Sequence, residues 1–136
     1  MYLFKPIKPT IFMEKLKQLI DKARKDKDVL AVSIFGSFAR GEKHKDIDIC
    51  IFLKQKKKYD NSKMTDKRLK YLSDFDFDIH IFQQLPLYIR HRILKEGKIL
   101  FCENEDNLYD LAYLTAKEYE DFKPIYRSYL EAVKNG

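Results

Sequence analysis

The chain has no tryptophan and only four glycines, four prolines and two cysteines in 136 residues. So little glycine and proline excludes a collagen-like or low-complexity disordered chain. Cys50 and Cys102 are too few for a secreted disulfide scaffold, and with three scattered histidines they form no zinc pattern. No run approaches the roughly 18 apolar residues of a membrane span, and the first residues lack the apolar stretch of a secretory signal. The expectation is a cytoplasmic protein without membrane association.

Apolar residues make up 45% of the chain, and ten Phe with nine Tyr supply bulk for a core. A single domain of this length buries roughly two thirds of its unfolded surface, so it folds without a disulfide or metal staple. The net charge of +6 is concentrated. Between Lys54 and Lys70, eight basic residues face only Asp60 and Asp66, which accounts for the whole excess. Such a segment attracts phosphates, of a nucleotide or of a nucleic acid, or else forms a solvated surface. Only Tyr59 could stack on a base there, which makes a nucleic-acid partner the weaker reading.

Local patterns give the order of elements. Thr10 is placed to cap a helix with Phe12, Leu16, Leu19 and Ala23 on one face, closed by Asp26 and Asp28. Val29 to Phe35 reads as a buried strand, broken by Gly36-Ser37. Asp46 to Leu53 alternates: Ile47, Ile49, Ile51 and Leu53 face one way, Asp46, Asp48, Cys50 and Phe52 the other. A helix is expected near Thr65 to Leu72, and Asp74 to Phe82 alternates again, with Asp74, Asp76, Asp78 and His80 on one face. Pro86 suits the first turn of another helix and Gly97 its end. Lys98 to Cys102 adds a short strand. Leu108 to Val133 is helical in period, with Tyr119, Phe122, Tyr126, Tyr129 and Val133 in a stripe. Pro124 should kink or split that helix. The stripe should pack mainly on the sheet, with part of its surface left over to meet a partner. The fold expected is α/β (α+β): a small mixed sheet with helices packed on it.

Aspartate is a poor strand former, and neighbouring carboxylates repel unless something neutralises them. Asp46 and Asp48 share one strand face. An open, wet face would accommodate them, and so would a hard divalent cation carrying substrate phosphates. Asp74 and Asp76 precede the strand proper in the simpler reading. Gly36-Ser37, where an apolar strand meets a turn, offers open backbone N–H groups and a hydroxyl to a phosphate, or forms an ordinary turn. His80 shares the face of Asp78 and reads as its hydrogen-bonded neighbour rather than as a site residue. Arg90 and His91 read as surface residues, and Cys50 as a packing residue.

Together the run Phe35-Gly36-Ser37-Phe38-Ala39-Arg40-Gly41, then Asp46-Ile47-Asp48-Ile49, then Asp78, resembles the polymerase β-like nucleotidyltransferases. It is most similar to their small stand-alone members, the minimal nucleotidyltransferases (MNT). Four residues, Glu42 to Lys45, separate Gly41 from Asp46, where many members have about six. The resemblance spans Val29 to Phe101 and implies a nucleotidyltransferase core over residues 1–102. Residues 103–136 would be a C-terminal helical extension packed on it.

The resemblance implies roles residue by residue. Gly36 and Ser37, with Arg40, would bind the nucleotide. Asp46, Asp48 and Asp78 would be catalytic and would hold Mg2+, in a pair of ions, with ATP as substrate. Asp76 is the substitute for Asp78 if the strand register shifts. The implied reaction transfers AMP to an acceptor hydroxyl. In the MNT group that acceptor is a tyrosine of a HEPN-type toxin, which makes the chain its antitoxin. The competing reading is a non-catalytic antitoxin module that only binds its partner. A transferase for small molecules or RNA ends fits less well, because the chain has no room for an acceptor-binding domain.

Overall fold

The computed structural model describes residues 9–36, 47–55 and 58–135, with side chains from residue 13 onward. Helix α1, Pro9–Lys25, leads into strand β1, Val29–Phe35. Strand β2, Asp48–Leu53, helix α2, Asn61–Asp74, and strand β3, Asp78–Ile81, follow. A 3-10 turn, Phe82–Gln84, leads to helix α3, Leu87–Glu96, strand β4, Lys98–Cys102, and helix α4, Glu105–Asn135. The sheet order is β3-β2-β1-β4. β1 runs antiparallel to β2 and β4, whereas β2 and β3 are parallel and joined by the α2 crossover.

Period-2 alternation sorts the strand residues onto two cores. Val32, Ile34, Ile49, Ile51, Leu53, Ile79 and Ile81 pack with Leu16, Leu19 and Ala23 of α1 and Tyr71 of α2. Ala31, Cys50 and Phe52 pack on the opposite side with Phe82, Ile93 and Leu111. Phe52 and Phe82 stack at 4.5 Å between centroids. Each fully buried Leu, Ile or Phe contributes about 1.5–3 kcal/mol by leaving water, so these two layers supply most of the drive to fold. Burial pushes the Cys50 thiol up from its ordinary pKa, as befits a small packing residue.

The alternation from Asp74 is not all strand: Asp74 and Asp76 precede it, as the simpler reading had it, with α2 running from Asn61 through Asp74 and β3 beginning at Asp78. Asp60 caps α2 by accepting from the Lys63 N–H at 2.8 Å, which sets its start. Asp74 accepts from Lys22 Nζ at 2.6 Å, and that bond holds its carboxyl below the usual range. Pro86 stands at the N-cap of α3, and the Gly97 N–H closes that helix on the Ile93 carbonyl. Pro124 does not split α4, which is continuous across it. Residues 120–135 are all exposed, so water can solvate the Glu120 carbonyl that proline leaves without its N–H. The apolar stripe packs intramolecularly only at its start: Tyr119 stacks on His91, while Tyr129 and Val133 stand out.

Much of the basic segment is spent on the fold. Lys67 Nζ lies 3.0 Å from both oxygens of Asp26 and 3.0 Å from Asp28 Oδ2. Tyr71 donates to Asp26 at 2.9 Å and Tyr59 to Asp28 at 3.2 Å. Arg68 Nε donates to the Ile79 carbonyl at 2.6 Å, satisfying the outer edge of β3. Lys54 pairs with Glu103. Gln83 continues the β2 ladder with a side chain, accepting from the Leu53 N–H at 3.1 Å and donating to its carbonyl at 2.8 Å.

This network makes stability fall in alkali. Burial, reinforced by the Asp28 carboxylate, pushes the Tyr59 hydroxyl up to about 12, and burial with the Asp26 hydrogen bond drives Tyr71 higher still. Burial opposes protonation of Lys67, but the hydrogen bonds to Asp26 and Asp28 outweigh it and raise its pKa. All three groups hold protons more tightly folded than unfolded, so their contribution is complete below about pH 10 and is lost above it. The melting temperature should drop between pH 10 and 12. Tyr71→Phe should flatten that drop, as followed by circular dichroism.

Candidate active site

The end of the sheet where β1 finishes and β2 and β3 begin gathers polar groups over an apolar floor. Asp48 and Asp78 are register partners on adjacent parallel strands, and Cys50 and His80 pair one pleat further along. Equal register puts all four on one face, with Phe35, the partner of Asp48 across β1, beside them. One ligand atom each of Asp48, Asp78 and His80 lie within 4.8 Å of one another. His80 Nε2 is 3.0 Å from Asp78 Oδ1, and its ring meets the Phe35 ring edge-on at 5.8 Å. The Asp78 N–H donates to the Ile47 carbonyl at 2.9 Å, which pins the start of β3 beside the start of β2.

Gly36 follows directly on β1 with φ +76°, a left-handed conformation that side chains rarely adopt. A Cβ there would collide with Oδ2 of Asp48. The bare Cα is therefore what lets the Asp48 carboxylate lie against the strand-ending turn. A glycine at this point combines two requirements, the backbone twist and the close approach of a charged side chain.

The sequence-derived site residues divide accordingly. Asp48, Asp78 and Gly36 converge at one sheet end. Asp76 lies in the exposed turn between α2 and β3, two residues before the register position that Asp78 occupies. Ser37, Arg40 and Asp46 lie outside the described residues. His80 joins the cluster although the sequence reading left it out. The available signal was its i, i+2 spacing from Asp78, which puts both on one strand face. Arg90 and His91 are more than surface residues: Arg90 reaches Glu118 at 3.3 Å, and His91 stacks on Tyr119 at 3.8 Å, tying α3 to α4.

Two carboxylates side by side make a hard oxygen donor pair, and the neighbouring imidazole can orient one of them. The donor chemistry fits a Mg2+ ion that completes its shell with water and phosphate oxygens. Two carboxylates from adjacent parallel strands beside a glycine turn, on a mixed α/β sheet, make up the candidate site.

Residues 17–106 match the family described as polymerase beta, nucleotidyltransferase, and the chain belongs to that family. Over 77 residues it is 35% identical to MJ1547 of Methanocaldococcus jannaschii, a protein assigned provisionally by its name to the protein adenylyltransferases. That stretch is 54% of this chain and 56% of the relative, so the match spans little more than half of either protein. In fold, the chain is similar to a chain of a toxin–antitoxin crystallised with AMP-PNP, at TM-score 0.66 and 21% identity, covering 89% of this chain and 97% of that one. It is also similar to a chain of the Shewanella oneidensis complex of a tri-AMPylated HEPN toxin with an MNT antitoxin, at TM-score 0.64 and 19% identity, covering 89% and 94%. No helix among the described residues is long and apolar enough to cross a membrane.

Gly36→Ala should lower stability by about 1–3 kcal/mol, because it sets both a left-handed backbone and a carboxylate collision against the new methyl group. Chemical denaturation monitored by tyrosine fluorescence would measure it.

Proposed function

We propose that the protein is a Mg2+-dependent adenylyltransferase that moves AMP from ATP to a hydroxyl of a partner protein, in the role of the antitoxin of a HEPN-type toxin. The observation that carries this reading is the register pair Asp48–Asp78 under the Gly36 turn. Membership of the nucleotidyltransferase family, a relative named for protein adenylylation and a fold shared with MNT antitoxin complexes support it.

Asp48 and Asp78, with Asp46, would hold Mg2+, in a pair of ions. When bound, the metal supplies charge neutralisation on the phosphates and acidifies the acceptor hydroxyl. The rest of the work belongs to the chain. The bare Cα of Gly36 makes room for the Asp48 carboxylate, and Ser37 after it, with Arg40, would bind the phosphate tail. Asp78 accepts the proton of the acceptor hydroxyl. The hydroxyl oxygen bonds to the α-phosphorus, the bond from that phosphorus to the bridging oxygen of the β-phosphate breaks, and pyrophosphate departs with those electrons. His80 orients Asp78 through their 3.0 Å contact. Ile49 and Ile79, which follow Asp48 and Asp78 and point to the opposite face, are fully buried and close the back of the sheet beneath the pair to water.

The test incubates the chain with Mg2+, labelled ATP and the product of the neighbouring reading frame. Label should appear on a tyrosine of that partner. Asp48→Asn and Asp78→Asn should each cut the rate at least about 100-fold, roughly 3 kcal/mol of transition-state stabilisation, without changing the melting temperature by more than a few degrees. Tight binding of the partner with no label, indifferent to Asp48→Asn, would instead make the chain a binding module. Chelation by EDTA should abolish labelling, and restored Mg2+ should recover it.

A further inference from the structure

The cluster at the sheet end is not made of oxygen alone. One ligand atom each of Asp48, Asp78 and His80 lie within 4.8 Å of one another, and one of the three is an imidazole nitrogen. The parallel register of β2 and β3 sets Asp48 beside Asp78 and Cys50 beside His80. The ring therefore stands one pleat behind the carboxylate pair, on the same face. Ile79, between Asp78 and His80, is fully buried and anchors the strand that carries both. The Phe35 ring meets the imidazole edge-on at 5.8 Å and restricts its rotation.

The separation of His80 Nε2 from Asp78 Oδ1 is 3.0 Å, which suits a hydrogen bond. It equally suits two neighbouring ligands of one ion, because adjacent donors about 2.1 Å from an octahedral centre lie about 3.0 Å apart. An imidazole that served Asp78 alone would have no need of Asp48, yet a carboxylate oxygen of Asp48 is within reach as well. Mg2+ takes oxygen ligands and leaves imidazole aside. First-row transition cations accept imidazole, and their affinity for mixed nitrogen and oxygen sites rises from Mn2+ to Co2+. The Asp78 side chain is 45% exposed and that of His80 26%, so water or phosphate oxygens can reach the remaining positions. Two carboxylates and one imidazole with open positions form a donor set for a transition cation.

We propose that Asp48, Asp78 and His80 form a site for a divalent transition cation, with His80 Nε2 as its nitrogen ligand, at one position of the ion pair. This rests on the reading of the sheet end as a metal site and adds which class of ion it selects. The imidazole then has two states. Beside Mg2+, its Nε2–H stays on Asp78 and orients it. With a transition cation, the neutral ring carries its proton on Nδ1 and gives the Nε2 lone pair to the metal.

The experiment measures affinities for Mg2+, Mn2+ and Co2+ by isothermal titration calorimetry, with and without a non-hydrolysable ATP analogue. Pulsed EPR of the bound Mn2+ accompanies it. The wild type should bind Co2+ at least about tenfold more tightly than Mg2+, and its Mn2+ should show 14N modulation from a bonded imidazole. His80→Gln keeps an N–H donor for Asp78 and removes the nitrogen ligand. It should leave Mg2+ affinity within about threefold, weaken Mn2+ about fivefold and Co2+ at least about 30-fold, and abolish the 14N signal. Asp48→Asn with Asp78→Asn should also abolish that signal. Equal losses for all three ions in His80→Gln would leave the ring as a positioning group and overturn the proposal. Mn2+ bound without 14N coupling would overturn it, and so would coupling that survives loss of both aspartates, which places the ion at another histidine. Absence of Mn2+ and Co2+ binding under both conditions would overturn it too. Labelling of a partner in Mg2+ would stand through each of these failures. Nitrogen-coupled binding by a chain that labels no partner would support the site and sink the transfer reading alone.

Discussion

Two carboxylates, Asp48 and Asp78, sit opposite each other on parallel neighbours at the same level of the sheet. Like charges at that spacing oppose the fold unless a cation or a hydrogen-bond donor lies between them, so the surroundings must supply one. His80 lies against Asp78, and Gly36 gives up its side chain to make room for Asp48. The pair also requires parallel strands. An antiparallel hairpin could not bring the first residue of β2 beside the first residue of β3, because the chain would have turned around. The α2 crossover exists to return the chain to the same end of the sheet.

That crossover is held in place from the far side of the molecule. Lys67 and Tyr71 of α2 converge on Asp26 and Asp28 between α1 and β1, and Arg68 grips the carbonyl of Ile79 within β3. A lysine left without these two carboxylates would be an exposed charge of little consequence. Here it is partly buried and shared, so it fixes where α2 lies and thereby the register of β3. The basic segment that attracts notice by its charge is in good part structural. Lys58, Lys63 and Lys70 are exposed and line a surface cleft together with Asp66.

A good deal of this was legible in the residues. The alternation of Asp46 to Leu53 marked β2 and its polar face, and Gly36-Ser37 marked the end of β1. The errors came where one local pattern serves two structures. Asp74, Phe75, Asp76 and Phe77 alternate as a strand would, yet Asp74 ends a helix and Phe75 caps it, and among the described residues the pairing of β3 with β2 begins at Asp78. Pro124 forecast a break, but a helix with no wall beside it can hydrate the carbonyl that proline strands. The tyrosine stripe showed that one face of α4 is apolar but could not show against what.

Composition and periodicity by themselves determined the element order, the two-sided apolar sheet and the carboxylate-bearing strand face, because these follow from contacts between residues close in the chain. Tertiary structure alone decided that Asp78 rather than Asp76 meets Asp48, that His80 joins them, that Lys67 belongs to the fold, and that α4 outruns its own core. Each of these depends on the register between segments tens of residues apart. No local pattern encodes such a register, because it is set by the packing of the whole sheet against its helices.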